Sequence, residues 1–267
     1  MNVLALIPAR MGSSRFPGKP LKEIHGKPMI GHVYENVSRC NLLMKTVVAT
    51  CDREILDYIE SIGGEVVMTS KRHERASDRC AEALLYLEKN DGIEYDIIVM
   101  VQGDEPMTHP NMITEAVTPM LNNPEILITN LLGDIDTLGE FEDRNCIKVV
   151  CDLNSDALFF SREPIPTRRF GDVSMKKQVC VIPFRRSFLL KYTSLQPTPL
   201  EVVESVDMMR VLEHGLKVRM VPTRYNTQAV DTEEDLKKVV NLMKISHGAN
   251  SYEGENNFDS KVNGSVS

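Results

Sequence analysis

Val3-Leu4-Ala5-Leu6-Ile7-Pro8-Ala9-Arg10-Met11-Gly12-Ser13-Ser14-Arg15-Phe16-Pro17-Gly18-Lys19-Pro20 decides how the rest of the chain is read. Val3 to Ile7 is an apolar run too short for a helix and of the right length for a buried strand. The residues after it bring together Gly12 and Gly18, Ser13 and Ser14, and the cations Arg10, Arg15 and Lys19, while Pro8, Pro17 and Pro20 forbid a regular helix through them. Glycine lets backbone N–H groups approach an anion and the cations neutralise it, so a strand feeding this loop reads as a phosphate cradle. It is not a P-loop, because Lys19 is followed by Pro20 and not by Ser or Thr. The plainer alternative is a basic surface turn.

Outward from the loop, apolar runs alternate with helical spacing. Met29, Ile30, Val33 and Val37 give a helix over Pro28 to Ser38, followed by a strand at Thr46 to Thr50, a helix at Arg53 to Ile62 ended by Gly63-Gly64, and a strand at Glu65 to Thr69. Ser77 reads as the N-cap of a helix to Leu87 with Ala81, Leu84 and Leu85 inward, and Ile97 to Val101 is apolar throughout, as a strand covered on both faces is. Strands alternating with helices predict an α/β fold: a doubly wound, mostly parallel, Rossmann-like sheet, with ligands at the carboxyl ends of its strands. The loop and Gln102-Gly103-Asp104-Glu105-Pro106 both fall there.

Farther along, Cys146 to Ser161 reads as a hairpin and Lys177 to Phe184 as one strand, so a small β lobe inserted over 146–184 is expected. Leu200 to His214 reads as one helix, Lys217 to Val221 as a strand, and Thr232 to Lys244 as a last helix capped by Thr232. The domain is therefore expected over 1–245, followed by a disordered tail over 246–267 that is rich in Asn, Gly, Ser and charge.

Composition narrows the function. A hydrophobic fraction of 42% and a charged fraction of 26% over 267 residues fit a globular protein with a full core. No apolar run is long enough to span a bilayer or serve as a signal-peptide core, which makes a cytoplasmic enzyme without a membrane partner the expectation. The net charge of −7 argues against nucleic acid, so a polyanionic ligand must be held by a local cluster. The six cysteines contain no Cys-x-x-Cys pair and no zinc spacing. Asp104 follows a buried strand directly, and Asp231 follows Ala229-Val230 just before a helix. Two carboxylates at strand ends suit Mg²⁺, which takes one or two protein oxygens plus phosphate and water. Singly, Asp104 also reads as a turn residue and Asp231 as a helix N-terminal charge.

Several segments in order resemble the bacterial 3-deoxy-manno-octulosonate cytidylyltransferase (CMP-KDO synthetase) family: Ile7-Pro8-Ala9-Arg10 through Gly18-Lys19-Pro20-Leu21, Gly26-Lys27-Pro28-Met29-Ile30, Val101 through Pro106, Phe160-Ser161-Arg162, Gln196-Pro197-Thr198-Pro199-Leu200-Glu201 and Val230-Asp231-Thr232. The resemblance runs from Asn2 to about Lys244. It implies a nucleotidyltransferase that transfers CMP from CTP to an acidic sugar in lipopolysaccharide biosynthesis and releases pyrophosphate. It also implies that the inserted lobe closes on the sugar and forms a homodimer. Carried over residue by residue, it implies that Ala9, Arg10, Gly12, Ser13, Lys19, Arg79 and Gln102 bind the nucleotide, and that Arg10, Arg15, Lys19 and Asp104 are catalytic. Asp104 and Asp231 are implied to hold Mg²⁺, and Gln102, Arg162, Gln178, Gln196, Glu201 and Glu204 to face the sugar.

The chain departs from that family in places. His73-Glu74-Arg75-Ala76-Ser77-Asp78-Arg79 stands where the family reads His-Gln-Ser-Gly-Thr, then Asp or Glu, then Arg. Gln178 and Ile182 stand for a histidine and a tyrosine, and Asp207-Met208-Met209-Arg210 for Glu-Gln-Leu-Arg. Lost hydrogen-bonding groups in a sugar pocket change acceptor preference. Two further readings therefore stand beside the first: the same CTP chemistry on a variant acid (an amino-octulosonate, another keto-deoxy sugar acid or a phosphonate), and a non-catalytic nucleotide-binding homologue.

Overall fold

The computed structural model describes residues 1–13, 15–171 and 173–250. The apolar run at the N-terminus forms β1 (Val3–Ala9), buried at every position. The loop then enters a short hairpin, β2 (Glu23–Ile24) with β3 (Lys27–Pro28), and α1 (Met29–Ser38). Next come β4 (Lys45–Thr50), α2 (Arg53–Ser61), β5 (Glu65–Met68), α3 (Ala76–Asp91) and β6 (Ile97–Val101). These four strands pair in parallel in the order β6-β1-β4-β5. Alternation decides which face each residue serves. Val3, Ala5 and Ile7 pack with α1 and α2, whereas Leu4 and Leu6 pack with α3, so helices cover both faces. This is the expected doubly wound, mostly parallel α/β sheet.

The next segment is α4 (Pro110–Asn122), which joins the first of these faces, then β7 (Thr129–Asp134) and the short α5 (Leu138–Glu142). The expected hairpin is present as β8 (Lys148–Cys151) and β9 (Ala157–Ser161). The single strand expected at Lys177 to Phe184 is two strands. β10 (Lys176–Val179) lies beside β7 and β8, and after Cys180, β11 (Val181–Arg185) pairs antiparallel with β6 at the edge of the first sheet. After α6 (Arg186–Ser194), the helix expected over Leu200 to His214 breaks in the middle. α7 (Pro199–Glu204) ends on Ser205, which takes a left-handed φ of 52°, and α8 (Asp207–Glu213) follows. β12 (Arg219–Pro222) closes the second sheet, whose order is β12-β7-β10-β8-β9.

The β lobe is thus not confined to 146–184. It takes β7 and β12 from outside that span and gives β11 to the first sheet. Ser77 is also not a cap: α3 starts two residues after Glu74, and Ser77 is buried, its hydroxyl 3.5 Å from Asp207. Leu85, expected inward, is 50% exposed. The last helix, α9 (Glu233–Asn250), has the expected Thr232 cap, which Asp235 returns by accepting from Thr232 N, and it extends into the region expected as a tail. Residues 251–267 of that expected tail lie outside the described residues. No described helix is long and apolar enough to cross a membrane.

Candidate active site

The carboxyl ends of β1 and β6 open into two adjoining clefts of about 400 and 670 Å³, in the range of small-molecule sites. Arg15, Gln102, Asp104 and Asp231 border both.

The smaller cleft is built by the loop after β1. Met11 N donates to Asp52 Oδ2 (2.7 Å), and Ser13 and Gly18 donate their N–H groups to Met11 O (3.0 and 2.9 Å). Gly18 closes this turn at φ 73°, a left-handed conformation that favours glycine. Phe16 anchors the loop in an apolar cluster with Val230 and Val239, which ties it to the start of α9. Ala9, Arg10, Gly12, Ser13, Arg79 and Gln102 line this cleft. Gly103 brings the end of β6 close to the end of β1, where a Cβ would meet Pro8 O at 3.0 Å.

Lys19 is the centre of the arrangement. Its Nζ lies 2.7 Å from Asp104 Oδ2, 3.0 Å from Asp231 Oδ1 and 2.9 Å from Val230 O. Burial works against the ammonium, but attraction by Asp104 and Asp231 and hydrogen bonds to both outweigh it, so its pKa is held above the usual lysine value. Arg15 adds a second cation 2.9 Å from Asp231 Oδ1 and also contacts Asn145 Oδ1. Val230 N donates to Asp104 O (3.0 Å), which pins the approach to α9 against the end of β6 and puts the two aspartates side by side.

The larger cleft lies between this centre and the second sheet. Arg162 and Gln178 line it, together with Lys177, Cys180, Asn145 and Glu105. Gln178 Nε2 donates to Asn130 Oδ1 (2.6 Å). Arg162 is held by Glu204: its N donates to Glu204 Oε2 (2.8 Å) and its Nε to Glu204 O (2.6 Å). Glu105, 4% exposed, has its carboxyl pKa pushed up to about 8 by burial and by Asp104 beside it. Glu105 falls in the segment expected at the strand end, but Lys177 and Asn145 carry no signal of their own in the sequence; only the folded chain places them at the cleft.

Three expected sugar-facing residues lie elsewhere. Glu201 is fully buried and receives Arg210 through Nε (2.7 Å) and Nη2 (2.6 Å), with Arg75 at 3.5 Å. Gln196 is exposed before α7 and lines neither cleft. Glu204 sits behind Arg162 and not on the cleft wall. Ile182 is 3% exposed in the core between the two sheets, so the loss of a tyrosine there does not touch the larger cleft. Arg75, one of the departures, lines the smaller cleft while pairing with Asp207 at 2.9 Å.

A family model described as cytidylyltransferase matches residues 4–219. The chain is 43% identical to a 3-deoxy-manno-octulosonate cytidylyltransferase of Trichlorobacter lovleyi, a match covering 91% of this chain and 99% of the relative. It is 42% identical to the protein of the same name from Geobacter sulfurreducens, with 91% and 100% covered. Among solved structures, CMP:2-keto-3-deoxy-manno-octonic acid synthetase complexed with CTP matches with a TM-score of 0.83 at 35% identity, covering 92% of this chain and all of the other. A 4-diphosphocytidyl-2C-methyl-D-erythritol synthase from Anaerococcus prevotii, 13% identical with a TM-score of 0.61, shares the fold. A glycine- and cation-bearing loop and a lysine that bridges Asp104, after β6, to Asp231, before α9, therefore sit inside a chain that matches its relatives over nearly its whole length, and the chain belongs to the cytidylyltransferase family.

Proposed function

We propose that this chain transfers CMP from CTP to 3-deoxy-manno-octulosonate and releases pyrophosphate. One observation carries the reading: the Lys19 ammonium joins Asp104 and Asp231 at the junction of a cation-lined cleft and a second cleft large enough for a sugar acid. The triphosphate occupies the smaller cleft against the loop, with Arg10, Arg15 and Lys19 around its oxygens. The acceptor occupies the larger one, where Gln102, Arg162 and Gln178 offer hydrogen bonds. Its anomeric hydroxyl attacks the α-phosphorus, the bond to the β-phosphate oxygen breaks, and pyrophosphate leaves. Cations fixed before the reaction stabilise the charge that develops on the phosphate oxygens. No covalent intermediate with the protein is needed.

Asp104 and Asp231 fit a magnesium ion: both are hard oxygen donors, both border the two clefts, and their contacts with Lys19 and Arg15 engage only Oδ2 of Asp104 and Oδ1 of Asp231. When bound there, magnesium supplies further neutralisation of the triphosphate. In this reading the enzyme works in the cytoplasm as a homodimer, with Leu158, Val202 and Val203, each at least 61% exposed, as apolar surface for pairing.

The variant-acceptor reading loses half of its basis, because Ile182 is core and only Gln178 faces the acceptor cleft. The test is pyrophosphate release with CTP, UTP and ATP against a panel of sugar acids and phosphonates, with and without chelator. Release with CTP and octulosonate, abolished by chelator, is expected. Turnover of another acid with none of octulosonate overturns the acceptor, and silence with every acid overturns catalysis.

A further inference from the structure

Lys148, the first residue of β8, is fully buried, and among the described residues no carboxylate pairs with its ammonium. Burial lowers its pKa, with partial opposition from Cys146 and Asp143. An isolated charge in a protein interior is costly unless each of its protons is used. Here each is used: Nζ donates to Asp143 O at 2.8 Å, to Cys146 O at 2.7 Å and to Arg162 O at 2.6 Å. The three carbonyls come from two stretches, the turn after α5 and the end of β9. Both form the wall of the larger cleft. The turn carries Asn145, whose side chain receives Arg15, and Arg15 in turn pairs with Asp231. Arg162 also closes on the turn, donating from Nη1 to Arg144 O (2.9 Å).

We propose that Lys148 is a positioning residue for the acceptor: its ammonium locks the 143–146 turn to Arg162, which fixes the wall of the larger cleft. The proposal rests on the acceptor reading of that cleft, and its test separates the two. Lys148→Met keeps the length of the side chain and removes the donors. In Lys148→Met the KM for octulosonate rises about tenfold or more while the KM for CTP stays within about twofold, and Lys148→Gln, which keeps two N–H donors, falls between. Without any substrate, amide exchange at Cys146 and neighbouring turn residues is faster in Lys148→Met than in the wild type. A purely structural lysine lowers the melting temperature and leaves both KM values alone, and that result overturns the proposal, as does a rise in both KM values together. Should neither variant fold, the wild type still decides: the Cys146 amide, closed on Asp143 O at 3.1 Å, exchanges as slowly as those of β8, and rapid exchange there overturns the lock. If wild-type enzyme turns over no octulosonate, the functional reading fails while the exchange experiment continues to report on Lys148.

Discussion

The two clefts are built in opposite ways. Around the smaller cleft, the side chains come from the loop after β1, the residues after its parallel neighbour β6 and the segment entering α3, and the entry to α9 brings Asp231 to meet them. Around the larger cleft, the wall is assembled from the turn after α5, the end of β9, β10 and the stretch before α9, with sequence separations of tens of residues between contacts such as Gln178 with Asn130. A site made of strand ends tolerates little change, because the same few residues close the sheet and hold the ligand. A site made of many segments varies one segment at a time. The departures of this chain touch both clefts: Lys19, Asp104 and Asp231 stand in their expected segments, whereas Arg75 and Ala76, at the entry to α3, depart in the smaller cleft and Gln178 departs in the larger one.

The largest effect should come from removing the residue at the meeting point. Lys19→Met leaves Asp104 and Asp231 facing each other without their shared cation and deprives the phosphate of a preorganised donor. A fall in kcat of about a hundredfold to a thousandfold is expected, comparable to losing one oxyanion donor. Steady-state kinetics at saturating CTP check it, and an unchanged kcat would reduce Lys19 to a surface cation and remove the contrast between the clefts.

How far the sequence could be read follows the same contrast. β1, its loop, β4, β5, α1 and α2 were legible because each is a local pattern of apolar periodicity, and Gly or Pro marks several of their ends, as Gly63-Gly64 does between α2 and β5. β6 was legible because it is apolar on both faces. β7 was not read as a strand: it pairs with β10 and β12, far away in the chain, and its Thr129-Asn130 start carries no strand signal. The division of Lys177 to Phe184 at Cys180 was hidden in the same way, because a run of β-branched and apolar residues looks alike whether it serves one sheet or two. Ser205 concealed the break between α7 and α8, since a left-handed φ is usually marked by glycine or asparagine and serine gives no such warning. Among the candidate site residues, Ala9, Arg10, Gly12, Ser13, Lys19, Arg79 and Gln102 gather along the smaller cleft. Glu201 was misplaced because a glutamate in a motif looks the same whether its carboxylate meets a ligand or a buried arginine.

Glu201 gives the second, smaller test. Its carboxylate is enclosed with Arg210, and Arg75 reaches the same group from the rim of the smaller cleft. Breaking one partner of a buried pair leaves the other without compensation, so Glu201→Gln should lower unfolding stability by about 3 kcal/mol. Denaturant melts measure it. Provided the variant folds, its KM for the acceptor should stay near the wild-type value at low temperature. A large rise in that KM with unchanged stability would return Glu201 to the acceptor site and show that the larger cleft extends behind Arg162.

The smallest effect is expected at Ile182, and it bears on the acceptor. This residue stands where the family has a tyrosine, yet its side chain points into the core formed by both sheets, beside β6, and is 3% exposed. Ile182→Val removes one methylene from a close-packed interior, which costs about 0.5–1.5 kcal/mol of stability and leaves a small void. None of that loss passes through the cleft, whose nearest lining residues from this stretch are Gln178 and Cys180. The value of kcat/KM for octulosonate should therefore stay within about twofold while the melting transition moves down. If kcat/KM instead changes by tenfold or more at a modest loss of stability, β11 is transmitting the packing of the first sheet into the acceptor wall. The switch at Cys180 between the two sheets would then be a coupling between the clefts and not merely the point where one chain segment leaves one sheet for the other.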